Sequence, residues 1–315
     1  MKLFCKICLN KDRNALLEVK EMMFQFPNKF NYLDCSKCGC LSLVDSPEDM
    51  NQYYPKEYYS YNVNNTQIKK FKLFKNLINK SAMKAKLGYG NVFDKLIYKF
   101  KPISFSWLLP KMVNLNCEIL DVGCGNGFLI NEMNDYGFTK LTGIDPFLSK
   151  LATTDKSPRL LSTALVDFQE NNFDMIMYHH SFEHLQFPNL ELLNLHAKLK
   201  DDGVLLIRVP VCDSFAFRTY KQNWVQLDAP RHYFLFSEKS MRHLAEKSGF
   251  KVEKIIYDSN SFQFTGSECY MQGKLLLEQR ELFTQEEINE FEKKAKVLNE
   301  QGDGDSACFY LKKLT

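Results

Sequence analysis

The chain has 315 residues, 45% hydrophobic and 25% charged, with a net charge of +3. That is the composition of a globular chain long enough for one large or two to three small domains. No run of about 18 apolar residues is present, so no transmembrane segment is expected. The opening "MKLFCKICLNKDRN" carries a charge every few residues and lacks the apolar centre of a signal peptide, so the expected location is the cytoplasm. Residues 1–115 hold 19 basic and 9 acidic residues, a balance of +10, and the remainder 22 and 29, a balance of −7. With the whole so near neutrality, no nucleic-acid partner is expected.

Residues 1–45 read as a zinc ribbon. Cys5 and Cys8, in CKIC, and Cys35 and Cys38, in CSKC, are two CxxC knuckles separated by 26 residues. Four thiolates close tetrahedrally around Zn²⁺ with no open position, so the ion is expected to be structural. A piece of about 40 residues has too little core to fold well alone. Gly39 follows the second knuckle, where a tight turn needs positive φ. Cys40 is a spare, and Cys117, Cys124, Cys212, Cys269 and Cys308 are scattered as small hydrophobes in a reducing compartment would be. A redox role would want one CxxC opening a helix beside a βαβ unit, and neither pair has that setting.

Residues 46–114 read as a tyrosine-rich and basic helical cap or linker. Tyr53, Tyr54, Tyr58, Tyr59 and Tyr61 fall within nine residues and suit either packing or a lid. Seven lysines follow in "IKKFKLFKNLINKSAMKAK", with Phe71, Phe74, Leu77 and Ile78 at helical spacing. The expectation is that this apolar stripe packs on the protein itself; the alternative is a helix lying on a membrane surface.

The most informative stretch is "EILDVGCGNGFLINEMNDYG". Ile119, Leu120 and Val122 read as a buried parallel strand, and Gly123, Gly125 and Gly127 as a turn that lets backbone approach a ligand. A helix from Phe128 then offers its free N–H groups. The next strand, "KLTGID", ends in Asp145, placed to take the hydroxyls of a ribose. Phe128 stands where the dinucleotide fingerprint needs a glycine. Asp121 beside the loop would repel a pyrophosphate and suits a ligand bearing an ammonium group.

This D-x-G-x-G-x-G pattern with its following acid resembles motifs I and II of the class I S-adenosylmethionine-dependent methyltransferases. The resemblance covers about residues 115–315 and implies an α/β, Rossmann-like, seven-stranded sheet with a helical insertion over about 268–303. It implies that the three glycines pass under the methionine end of S-adenosylmethionine and that Asp145 holds its ribose. Pro146 and His179 join Asp121 in that cofactor set, and the backbone of 163–165 is the guess for adenine. "NNFDMIMYHHSFEHL" resembles the family's fourth strand and loop, "DGVLLIRVP" its fifth strand, and "ACFYLKK" its antiparallel seventh.

Ribbon, tyrosine-rich segment and "PRH" loop together resemble bacterial methyltransferases of sugars, including nucleotide-linked deoxysugars and surface-glycan precursors. That implies a small-molecule or nucleotide-linked sugar acceptor. The carbon-methylating branch has an acid–His pair in the loop after strand five; Arg231 replaces the acid, which points to oxygen methylation. An oxygen acceptor needs a general base. His232 is the first candidate, with Asp228 orienting its ring, Arg231 forking onto a substrate anion and Trp224 stacking on a sugar. His180 is the second candidate base. His184 is expected to be a structural partner of Glu183, and His196 and His243 to be inert. The bland alternative is a loop whose Arg–Asp pair and aromatics only close the fold. Rival functions are carbon methylation of a deoxysugar, an RNA methyltransferase gripping RNA with the ribbon, and a non-catalytic scaffold.

Overall fold

The computed structural model describes residues 3–55, 72–101, 103, 105–148, 153–154 and 156–314. Tyr58, Tyr59, Tyr61 and Phe71 lie outside these. The chain forms two compact units. One comprises Met1–Pro55, His180–Leu190 and Arg208–Leu314; the other comprises Lys56–His179 and Glu191–Ile207.

The ribbon supplies β1 (Ala15–Lys20), β2 (Lys29–Asp34) and β3 (Leu41–Leu43). Two helices follow, α1 (Lys72–Lys86) and α2 (Val92–Phe100). Asn91 opens α2 with a capping box closed by Asp94. Alternation then begins: β4 (Glu118–Val122), α3 (Phe128–Asp135), β5 (Lys140–Ile144), β6 (Arg159–Leu161), β7 (Phe173–His179), α4 (Pro188–Lys198) and β8 (Leu199–Pro210). The remainder is α5 (Phe215–Tyr220), β9 (Phe234–Leu235), α6 (Glu238–Lys247), β10 (Phe250–Tyr257), α7 (Phe262–Met271), α8 (Gln279–Leu282), α9 (Gln285–Glu300) and β11 (Ser306–Lys313).

The larger sheet has the order β10-β11-β8-β7-β4-β5-β6. β4 pairs in parallel with β5 and β7, β5 pairs in parallel with β6, and β11 pairs antiparallel with β10. This is the α/β methyltransferase architecture expected from the sequence. Strands enclosed on both faces read as continuous apolar runs, and Ile119 to Val122 and Met175 to Tyr178 are buried without alternation.

The smaller sheet has the order β1-β2-β3-β9. Its fourth strand comes from the late "NWVQLDAPRHYFLF" loop: Leu235 lies opposite Leu41 and Phe234 opposite Ser42. Tyr32, Tyr53, Trp224, Leu235, Phe264 and Leu298 belong to one buried apolar cluster in this unit. A ribbon too small to close a core alone is completed by chain from far along the sequence.

The basic helix departs from expectation. Phe74 and Leu77 are 67% and 66% exposed, whereas Asn79, Ala82 and Met83 are buried. Phe74 and Met83 stand nine residues apart, about two and a half turns, and so on opposite sides of α1. The face that packs is the one carrying Asn79, whose side-chain amide donates to the Asp135 carbonyl at 3.2 Å and whose Oδ1 accepts from Lys101.

Candidate active site

In the ribbon, Cys5 Sγ lies 3.6 Å from Cys38 Sγ and Cys8 Sγ 3.5 Å from Cys35 Sγ. A tetrahedral zinc with bonds of about 2.3 Å sets its sulfurs roughly 3.8 Å apart, so the four thiols fit Zn²⁺. The knuckles are built alike: Leu9 N–H donates to the Cys5 carbonyl at 2.9 Å and Gly39 N–H to the Cys35 carbonyl at 2.8 Å. The residue after each CxxC takes positive φ, 60° at Leu9 and 72° at Gly39.

In the other unit, Gly123, Gly125 and Gly127 all take positive φ, 74°, 55° and 77°, a turn closed to ordinary side chains. Asp145 ties that turn: its Oδ2 accepts from Gly125 N–H at 2.9 Å and its Oδ1 from Phe147 N–H at 2.8 Å. A carboxylate accepting these two bonds keeps lone pairs for further donors. Asp121 is buried, and burial followed by the charge of Asp145 pushes its carboxyl up to about 7. A cationic ligand beside two such acids would relieve their repulsion, which fits the sulfonium and ammonium of S-adenosylmethionine. His179 ends β7 with its ring edge-on to Trp107, the centroids 4.5 Å apart, and Pro146 directly follows Asp145.

The first unit gathers a second set of titratable groups. Glu183 is fully buried, and neither carboxylate oxygen has a hydrogen-bond partner. His180 Nδ1 stands 3.6 Å from Glu183 Oε1, and His232 Nε2 3.9 Å from the same oxygen. Burial alone would raise the Glu183 carboxyl, yet His180, His232 and His184 bring it below the usual glutamate value. The rings of His184 and His232 meet edge to face at 4.7 Å. Burial, and then the charge of His232, lower His184 to about 4, so it is neutral near pH 7. His232 Nδ1 lies 2.8 Å from the Gln226 carbonyl and His184 Nδ1 3.0 Å from the Arg231 carbonyl. A carbonyl only accepts, so both Nδ1 atoms carry the proton. His180 has φ 52° and a side chain 31% exposed, a backbone state uncommon outside glycine and often found at functional sites.

Several expectations for the late loop are corrected. Arg231 does not present its guanidinium to a substrate anion, because it is fully buried and committed within the protein. Its Nε and Nη2 donate to Asp228 at 2.9 and 2.6 Å, Nη2 also to Glu21 at 2.7 Å, and Nη1 to the Tyr53 carbonyl at 3.0 Å. Asp228 does not orient His232, since 3.8 Å separates Oδ2 from Nε2; the Gln226 carbonyl holds that ring. Trp224 has no exposed face for stacking, being fully buried with its indole N–H on Asp305 at 2.9 Å. His184, expected to be a structural partner of Glu183, lies in one cluster with Glu183 and His232. Glu21 was missed altogether; it is buried and also accepts from Phe24 and Phe26 N–H at 3.0 Å.

A family model described as a methyltransferase domain matches residues 87–255, more than half of the chain. The chain belongs to this methyltransferase family. The methyltransferase is an S-adenosylmethionine-dependent enzyme of class I fold. It is 26% identical over 164 residues to the tRNA U34 carboxymethyltransferase of Campylobacter jejuni strain 81-176, covering 49% of this chain and 56% of that one. It is 30% identical over 166 residues to the enzyme of the same name from Aliivibrio salmonicida, covering 47% and 49%. The chain thus spans about half the length of these curated relatives. Among solved structures, an S-adenosylmethionine-dependent methyltransferase of Archaeoglobus fulgidus aligns at 17% identity with a TM-score of 0.41, over 78% of this chain and 99% of the other. The two curated relatives are named for a tRNA substrate. That overturns the expectation of a sugar acceptor with no nucleic-acid partner. No helix among the described residues is long and apolar enough to cross a membrane.

Proposed function

We propose that this methyltransferase acts on RNA, transferring the methyl group of S-adenosylmethionine to a tRNA-like acceptor. The observation that carries the reading is the surface of α1 and α2. Residues 72–101 hold eight lysines and one acid, and that acid, Asp94, is buried and bonded to Ser81 and Asn91. Among the lysines stand exposed aromatics: Phe74, Phe93 at 66% and Phe100 at 79%. Cations that meet phosphates, interleaved with rings on which bases stack, suit an unpaired strand or loop of RNA. The tRNA substrate of the relatives supports the same choice.

When bound, S-adenosylmethionine supplies a methyl group activated as a sulfonium. The roles of this chain's residues are part of the proposal. Gly123, Gly125 and Gly127 pass beneath the methionine end, Asp121 faces its ammonium, and Asp145 takes the ribose, with Pro146 and His179 in the same pocket. His180 rather than the buried His232 serves as proton acceptor, because its imidazole is partly exposed and backed by Glu183. Cys5, Cys8, Cys35 and Cys38 hold a structural Zn²⁺.

Replacing Lys75, Lys80, Lys95 and Lys99 together by Glu tests the RNA surface. All four are exposed, so the fold should survive. Affinity for bulk tRNA should fall at least tenfold and its salt dependence flatten, with S-adenosylhomocysteine affinity unchanged. Unaltered tRNA affinity in the variant, or no tRNA binding by the wild type, contradicts the proposal.

A further inference from the structure

We propose that Glu183, His184 and His232 form a second metal site, which takes a divalent transition cation of the zinc class through two imidazole nitrogens and a carboxylate. The inference rests on this cluster alone and not on which acceptor the enzyme methylates.

Three observations converge. First, Glu183 is 0% exposed with both oxygens lacking a hydrogen bond. A buried carboxylate in that state is costly unless a cation compensates it. The imidazoles of His180 and His232, at 3.6 and 3.9 Å, stand too far off to donate a good hydrogen bond to it.

Second, His184 and His232 each commit Nδ1–H to a backbone carbonyl, of Arg231 and Gln226. That leaves Nε2 of each ring with its lone pair. Anchoring the far N–H on a carbonyl is how metal-binding imidazoles are fixed in tautomer and orientation.

Third, one ligand atom from each of Glu183, His184 and His232 lies within 4.8 Å of the others. Bonds of about 2.1 Å would set such donors roughly 3.0–3.4 Å apart, so 3.9 Å between His232 Nε2 and Glu183 Oε1 needs only a small inward movement. Two imidazoles favour zinc, iron, nickel or copper over calcium or magnesium. Three protein donors leave a tetrahedral ion one position open, as in ions that act on a substrate rather than hold a fold. The ribbon, by contrast, fills all four positions with sulfur.

The test is metal content of the full chain after loading with Zn²⁺ and removal of free metal. Two ions per chain are expected in the wild type, and one in Glu183→Gln and in His232→Asn, whose ribbon cysteines are intact. Cobalt loading of the wild type needs no variant: thiolate charge-transfer bands from the ribbon should be joined by weaker d–d bands without thiolate character, saturating separately. One ion in the wild type with purely thiolate cobalt spectra would overturn the proposal; the cluster would then be a proton-sharing network. Two ions in both variants as well would also overturn it, because the second ion would sit elsewhere. Neither readout involves RNA or methyl transfer, so failure of the RNA reading remains distinguishable.

Discussion

Asp121, buried in β4, feels the charge of Asp145 just past the end of β5: burial first and Asp145 second push the Asp121 carboxyl up to about 7. A carboxyl whose pKa is higher folded than unfolded adds stability below its unfolded value, and loses it as pH rises through the folded value. Cofactor-free protein should therefore be less stable at pH 8 than at pH 5.5 through this group. The shift from 3.8 to about 7 sets an upper limit of roughly 4 kcal/mol at about 1.36 kcal/mol per unit. Asp121→Asn should remove that slope, while S-adenosylhomocysteine should bind wild type more tightly at pH 8, where the ammonium meets a carboxylate. Melting curves across pH, with and without ligand, check both signs. A wild-type profile as flat as that of the variant would contradict the assignment.

Asp145 carries a separable role. Asp145→Ala should weaken cofactor binding by about 1.5–3 kcal/mol, the scale of hydrogen bonds to a charged acceptor. It also frees Gly125 N–H and Phe147 N–H. Isothermal calorimetry with S-adenosylhomocysteine measures the loss, and wild-type affinity would remove Asp145 from the site.

Arg231 is expected to matter for stability and not for KM. With Glu21 and Asp228 left buried and unpaired, Arg231→Met should cost about 3–5 kcal/mol in urea unfolding. Arg231→Lys should not restore it, because one ammonium cannot reproduce the fork to Asp228, Glu21 and the Tyr53 carbonyl. A stable variant with a raised KM would return Arg231 to the substrate.

Zinc removal should loosen the ribbon sheet. Cys35→Ser with Cys38→Ser should abolish ribbon zinc and lower Tm by several degrees, since the knuckle backbone also accepts from Ser237 through the Cys38 carbonyl. Differential scanning calorimetry with and without chelator reads the effect. A chelator-insensitive Tm in the wild type would show that the four thiols bind no structural ion.

What was legible in the sequence was local. The strand from Ile119, the three glycines and Asp145 lie within 27 residues and declare themselves by periodicity and spacing. The two CxxC pairs do so by repetition. What was not legible depended on partners far along the chain. Arg231 reads as a ligand-binding charge until Glu21, 210 positions earlier, is seen beneath it. The strand Phe234–Leu235 has only two residues, too short for alternation to reveal its pairing with Leu41 and Ser42. On α1 both faces carry apolar residues, so periodicity alone could not say whether Phe74 or Met83 packs inward. The expectation of no nucleic-acid partner rested on the whole-chain charge of +3, which averages the lysine-rich α1 and α2 with the acidic remainder.

The most direct measurement is transfer of labelled methyl from S-adenosylmethionine by the purified full chain, offered total bacterial tRNA and a nucleotide-sugar panel in parallel. Label is expected in the tRNA fraction, sensitive to ribonuclease, and lost when Lys75, Lys80, Lys95 and Lys99 are replaced by Glu. Label confined to the nucleotide-sugar fraction, with none in tRNA, would contradict an RNA acceptor.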